Sequence, residues 1–132
     1  MKNSSEHLEQ SALFQWAKLN EKKYPALCNL FAVPNGGKLP YTRIGKGKIW
    51  SGQRFKLVKE GLKKGVPDIF LAWPAGKKHG LFIEMKYGKN KVSPEQEEWI
   101  DRLDKAGYTV FVCYGFEEAR DCIIDYINGY YL

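Results

Sequence analysis

The chain has 132 residues and 44% hydrophobic content, which supplies one core and no second one, so residues 1–132 are expected to form a single domain. Its 21 Lys and Arg against 15 Asp and Glu leave a formal charge of +6, which suits a polyanionic partner through counterion release. No segment approaches the roughly 20 apolar residues of a membrane span, and MKNSSEHLEQ lacks an apolar signal core, so a soluble, cytoplasmic protein with no membrane partner is expected.

From the N-terminus, Asn3, Ser4 and Ser5 are N-cap residues, Asn3 and Glu6 have capping-box spacing, and Leu8, Ala12, Leu13, Trp16 and Leu19 recur at helical period. These predict a helix over 5–20. The apolar run Asn29 to Val33 stops at Pro34-Asn35-Gly36-Gly37 and reads as a strand and turn. Residues 38–52, with Lys38, Arg43, Lys46 and Lys48, read as a basic loop. A short amphipathic helix follows through Arg54, Phe55, Leu57, Val58 and Leu62, with Gly65 as its stop.

Asp68 to Trp73 and Leu81 to Lys86 are strand-like, joined by the turn residues PAGKKHG. Ser93-Pro94-Glu95-Gln96 supplies an N-cap, an N1 proline and a capping-box Gln ahead of a helix whose apolar face is Trp99, Ile100, Leu103 and Ala106, ended by Gly107. Tyr108 to Tyr114 reads as a buried strand and Phe116 to Ile127 as a final helix. The fold class is α/β, a mixed sheet flanked by helices. Cys28, Cys113 and Cys122 are odd in number and lack CxxC spacing, so they read as reduced, buried thiols rather than a zinc site or a disulfide framework.

Charges inside runs as apolar as GVPDIFLAW and LFIEMK cost several kcal/mol unless something pairs with them or coordinates them. A hairpin turning near Gly76-Lys77 sets Asp68 opposite about Lys86 and diagonal to Glu84. Period two puts Glu84 and Lys86 on one face and Ile83 and Met85 on the other. Diagonal neighbours lie about 7 to 8 Å apart, close enough to share a hard cation with oxygen ligands at about 2.0 to 2.1 Å. The Met85 carbonyl is a further candidate ligand. Such a site suits phosphodiester hydrolysis, with Lys86 as an ammonium that orients water or as a base. The blander alternative is a salt-bridge cluster on the solvated face of an edge hairpin.

Pro67-Asp68 followed by Glu84-Met85-Lys86 resembles the core of the PD-(D/E)XK nuclease superfamily. Together with FAVPNGG, LVKEGLKKGVPDIF, LFIEMK, SPEQEEW and AGYTVFVC, the chain resembles a stand-alone VRR-NUC domain of phage or bacterial type along nearly its whole length. The resemblance implies a restriction-endonuclease-like fold with an α-β-β-β-α-β core and Mg2+- or Mn2+-dependent DNA cleavage. It implies Asp68 and Glu84 as metal ligands, Lys86 as the catalytic cation, Gln96 as a site residue and Glu6 as the helix-one carboxylate, with Glu9 as a rival and Gln10 one turn on. It further implies a homodimer acting on branched DNA such as four-way junctions, in the host cytoplasm if phage-encoded. Capping alone would also account for Glu6 and Gln96. The chain lacks the immediate Arg after VPNGG, leaving Lys38, Arg43 and Arg54 to contact DNA phosphates.

Other signals are weaker. GKGKIWSG lacks the GK[ST] of a phosphate-binding loop, and His7 and His79 have no partners at ligand spacing. Trp16 and Trp99 read as packing residues, which leaves Trp50 as a base-stacking candidate. Two other classes stay open: a DNA-binding or assembly module that kept the fold without cleaving, and a nuclease directed at RNA.

Overall fold

The computed structural model describes residues 4–34, 42–44, 48–50 and 52–130. Its elements are α1 (Ser4–Leu19), β1 (Leu30–Ala32), β2 (Thr42–Ile44), β3 (Lys48–Trp50), α2 (Gly52–Lys59), β4 (Ile69–Leu71), β5 (Leu81–Lys86), α3 (Pro94–Lys105), β6 (Thr109–Tyr114) and α4 (Phe116–Ile127), with a 3-10 turn at Pro25–Asn29. The main sheet has four strands in the order β1-β4-β5-β6, and β2 and β3 pair apart from it. β1, β4 and β5 are antiparallel neighbours, whereas β6 runs parallel to β5. Parallel pairing needs a crossover, and α3 supplies it. With β2, β3 and α2 as an insertion, the chain order is the expected α-β-β-β-α-β, a mixed sheet flanked by helices.

Period two divides β5 between two faces. Leu81, Ile83 and Met85 are buried with Ile69, Leu71 and Cys113 against Leu13 and Ala17 of α1 and Ala119, Ile123 and Tyr126 of α4. Each large aliphatic side chain buried there contributes roughly 1.5 to 3 kcal/mol relative to exposure. The other face carries Phe82, Glu84 and Lys86. Phe82 stacks on Phe70 with ring centroids 4.3 Å apart.

Several elements depart from the sequence expectation, each for a local reason. Along α1 the buried stripe is Glu6, Gln10, Leu13 and Ala17, while Leu8 and Leu19 are exposed. Apolar periodicity cannot see two polar residues that the fold carries inward. α2 stops at Gly61 and not at Gly65: the Leu62 N–H reaches the Leu57 carbonyl at 2.8 Å and the Gly61 N–H the Val58 carbonyl at 3.1 Å, a Schellman closure with Gly61 at φ +111. The strand expected over 68–73 shortens to Ile69–Leu71 because the Trp73 N–H turns back to the Leu71 carbonyl at 3.0 Å and Pro74 has no N–H.

The expected loop over 38–52 contains the β2–β3 pair, with Arg43 opposite Ile49. Its Thr, Ile and Trp favour strands and outweigh the basic residues around them. The expected capping residue Asn3, the turn at 35–37, Lys38 and Lys46 lie outside the described residues. Cys28 is exposed, contrary to expectation, because it sits in the 3-10 turn and not in the core. Cys113 and Cys122 are free thiols with sulfurs 3.6 Å apart. Contact with Cys122, and then burial, push the Cys113 thiol pKa upward, so it stays protonated.

α3 begins as expected, with a full capping box between Ser93 and Gln96. Ala106 is exposed, and Gly107 closes the helix at φ +98. The glycine misassigned as a helix stop has a different use. A Cβ on Gly65 would lie 2.8 Å from the Glu95 backbone, so this glycine lets the segment leading into Asp68 touch the start of α3. Gly61, by contrast, has nothing within 4 Å of its would-be Cβ. Gly61→Ala should therefore cost about 1 kcal/mol for positive φ alone. Gly65→Ala should cost a further 1 to 3 kcal/mol or so, because backbone must move. Urea unfolding of both variants measures the difference, and equal losses would remove the close approach as a constraint.

Candidate active site

The observed register pairs Ile69 with Ile83 and Leu71 with Leu81, which sets Glu84, and not Lys86, across from Asp68. The turn itself is where the sequence placed it, inside an Ala75–Lys78 bridge. Between bridge and ladder, however, the β4 side has residues 72–74 and the β5 side only 79–80. The register slips accordingly, helped by Pro74 and by the His79 N–H turning away to the Gly107 carbonyl at 3.0 Å. That slip is one residue; Glu84 and Lys86 keep their shared face whatever the register, because they lie two apart on one strand.

The Pro67-Asp68 pair acts through the ladder. The Gly80 and Lys86 carbonyls accept from the Thr109 and Gly115 N–H groups of the β6 side at 2.9 and 3.2 Å. Backbone groups of the even residues of β5 thus face β6, and those of Met85 face β4. The ladder partner of Met85 would be Pro67, which has no N–H to donate. The Met85 N–H, whose ladder acceptor would be the Pro67 carbonyl, donates to Asp68 Oδ2 at 2.8 Å. One hydrogen bond therefore fixes the carboxylate where a strand partner would otherwise sit. It also leaves the Met85 carbonyl on the same side, with no donor from Pro67.

Asp68 and Glu84 are each only 3% exposed. β5 lies inside the sheet with β6 beyond it, so these carboxylates do not occupy the solvated face of an edge hairpin. Glu84 Oε2 accepts from Gln96 Nε2 at 3.2 Å and lies 3.8 Å from Lys86 Nζ. The Lys86 side chain is itself 12% exposed. Gln96 does both things its position allows. Its Oε1 accepts the Ser93 N–H at 2.8 Å and its backbone N–H donates to Ser93 Oγ at 3.2 Å. Because Oε1 is committed to the cap, the amide must present its NH2 to Glu84. Nearby, Lys64 pairs with Glu95 at 3.4 Å, and the Glu95 carboxyl is held below the usual range first by its own backbone N–H and then by Lys64.

With both carboxylates ionised, Asp68, Glu84 and Lys86 leave one negative charge in a buried setting. Two carboxylates and a carbonyl form an all-oxygen donor set, the chemistry that hard divalent cations prefer. Glu6 is 7% exposed on the buried stripe of α1. It does not complete a three-carboxylate cluster: among the described residues no three His, Cys, Asp or Glu side chains are grouped to hold a metal. Glu9 Oε1 lies 3.0 Å from where a Gly115 Cβ would be, at the start of α4. Arg54 is partly exposed on α2, while Lys38 and the side chains of Arg43 and Trp50 lie outside the described residues. The Asp68–Met85 bond was missed by sequence reasoning, because it depends on the register between β4 and β5.

A mixed sheet with a buried carboxylate pair and a lysine at the end of two adjacent strands is the layout of a nuclease-type domain. The comparisons agree. Residues 47–117, more than half of the chain, match the VRR-NUC domain family. A solved structure of a VRR_NUC domain protein is 26% identical and superposes with a TM-score of 0.74, covering 98% of this chain and 93% of that one. No curated protein matches the chain significantly. The chain belongs to the VRR-NUC domain family.

The Ser93–Gln96–Glu84 relay is separable by mutation. Ser93→Ala should cost about 1 kcal/mol, the value of an N-cap. Gln96→Ala should cost roughly 2 kcal/mol or more, because a buried carboxylate also loses a donor. Urea unfolding of both variants and the double variant checks this, and equal single losses would mean that the Glu84 contact carries no energy.

Proposed function

We propose that the protein is a Mg2+- or Mn2+-dependent endonuclease that hydrolyses phosphodiester bonds of DNA. The observation that carries the reading is the convergence of Asp68, Glu84 and Lys86, with two carboxylates buried at the mouth of adjacent strands and a lysine on the face of one of them. Asp68, Glu84 and the Met85 carbonyl would hold the cation. When bound, the cation polarises a phosphoryl oxygen and acidifies a water.

The chain's own residues do the rest. The Met85 N–H fixes Asp68, Gln96 fixes Glu84, and both carboxylates are thereby held in place before substrate arrives. Lys86 Nζ, beside Glu84, orients the attacking water or neutralises negative charge growing on the phosphate. The water oxygen forms the new bond to phosphorus, the bond to the leaving oxygen breaks, and that oxygen takes a proton. No motif in the sequence is one that reads base edges, so selectivity is assigned to substrate shape. Branched DNA such as four-way junctions, cut by a homodimer whose two sites face two strands, is the substrate class we favour. The surplus of basic residues supports a nucleic-acid substrate.

The test is cleavage of labelled four-way junction, flap, single-stranded and linear duplex DNA and of matching RNA, with magnesium, manganese or EDTA. Wild type should cut DNA only with metal and prefer the junction. Asp68→Asn and Lys86→Ala should each lose at least about 100-fold in rate, the scale of losing one electrostatic group at a transition state, while still binding DNA. A variant that cuts at the wild-type rate would overturn the site assignment. DNA bound but never cut would replace the enzyme with a binding module, and sedimentation of the free protein decides the dimer.

A further inference from the structure

The segment between β5 and α3, Tyr87-Gly88-Lys89-Asn90-Lys91-Val92, has no part in the site described above, yet it is fastened to it at three places. Its first residue follows Lys86. At its far end the Ser93 N–H is held by the same Gln96 amide that holds Glu84, with Ser93 N to Gln96 Oε1 at 2.8 Å and Gln96 Nε2 to Glu84 Oε2 at 3.2 Å. At its middle, the Tyr114 hydroxyl donates to the Asn90 carbonyl at 2.7 Å. A tight turn, with the Asn90 N–H on the Tyr87 carbonyl at 3.3 Å and Gly88 at φ +63, completes the shape.

Tyr114 is the register partner of Lys86 on β6, so its ring stands beside the lysine on the same face of the sheet. It is 42% exposed. Lys89 and Lys91 are exposed, the segment contains no carboxylate, and among the described residues none pairs with either lysine. Two ammonium groups are thus carried on a short loop whose position is fixed relative to Glu84 and Lys86 before any ligand arrives.

We propose that this loop is a phosphate grip, in which Lys89 and Lys91 hold the backbone of a DNA strand over Glu84 and Lys86 while Tyr114 keeps the loop in place. The inference rests on the nuclease reading for its substrate, but its geometry is independent of cleavage. A rigid carrier matters because each lysine then needs less ordering when it meets a phosphate. Tyr114 acts here as a positioning residue.

The experiment measures binding of a labelled DNA duplex by fluorescence anisotropy in EDTA over a range of salt, and separately cleavage kinetics with magnesium. Lys89→Ala/Lys91→Ala should weaken binding about tenfold at moderate salt and flatten the slope of log affinity against log salt by about 2, one unit per phosphate contact. Tyr114→Phe should weaken binding several-fold with an unchanged urea midpoint. For each of these variants KM should rise while kcat at saturating DNA holds. Lys77→Ala/Lys78→Ala removes the same charge from the turn at the other end of the hairpin and should leave the slope as in the wild type. If the loop variants keep the wild-type slope, or lose no more than this control, the grip is overturned. A wild type that binds but does not cut would sink the nuclease reading alone, because the slope comparison is read without cleavage.

Discussion

Everything at this site follows from one costly arrangement, the burial of two carboxylates side by side at the open ends of adjacent strands. Such a pair persists only if each charge is supplied with donors. The protein draws those donors from three different levels of structure. Asp68 is served by the strand ladder itself, through the Met85 N–H at 2.8 Å. Glu84 is served by a helix cap, through Gln96 at 3.2 Å, and by a side chain two residues along its own strand, through Lys86 at 3.8 Å.

Proline and glycine carry much of this arrangement by what they lack. Pro67 has no N–H, so the Met85 carbonyl receives no ladder hydrogen bond from it, while the Met85 N–H is taken by Asp68 Oδ2. Gly65 has no Cβ, so the segment entering Asp68 can lie against the Glu95 backbone at the start of α3. The approach brings the Asp68 segment and the Gln96 cap into one packed unit. A helix start, a strand mouth and a strand face are thereby held in fixed relation, which is the condition for a preorganised site.

The helices on the opposite face do different work. α1 and α4 close the aliphatic core over Leu81, Ile83 and Met85 and anchor β5 from behind. α1 also carries Glu6 and Gln10 inward on the stripe that holds Leu13 and Ala17, so the same helix face changes from apolar to polar toward its N-terminus. Tyr126 ties α4 to the hairpin through its hydroxyl on the Trp73 carbonyl at 2.7 Å, and burial raises the pKa of that phenol.

The sequence by itself determined the elements whose signals are local: the capped start of α3, the strand β5 with its two faces, the helix α4, and the grouping of Glu84 with Lys86, which depends only on period two. It also marked Gln96 as the capping-box residue of α3, to which the family resemblance added a site role. What it could not determine was anything summed over distance. The slip between bridge and ladder, which moved Glu84 opposite Asp68, depends on where Trp73-Pro74 and His79 leave the hairpin, and the His79 partner, Gly107, comes from another part of the chain. The buried stripe of α1 depends on which polar residues find partners, and the use of Gly65 depends on the approach of Glu95. Tyr114 meets Lys86 only because β6 lies parallel to β5 in one register. Periodicity fixes which way a side chain points along its own strand, whereas its neighbours across the sheet are chosen by the packing of the whole chain.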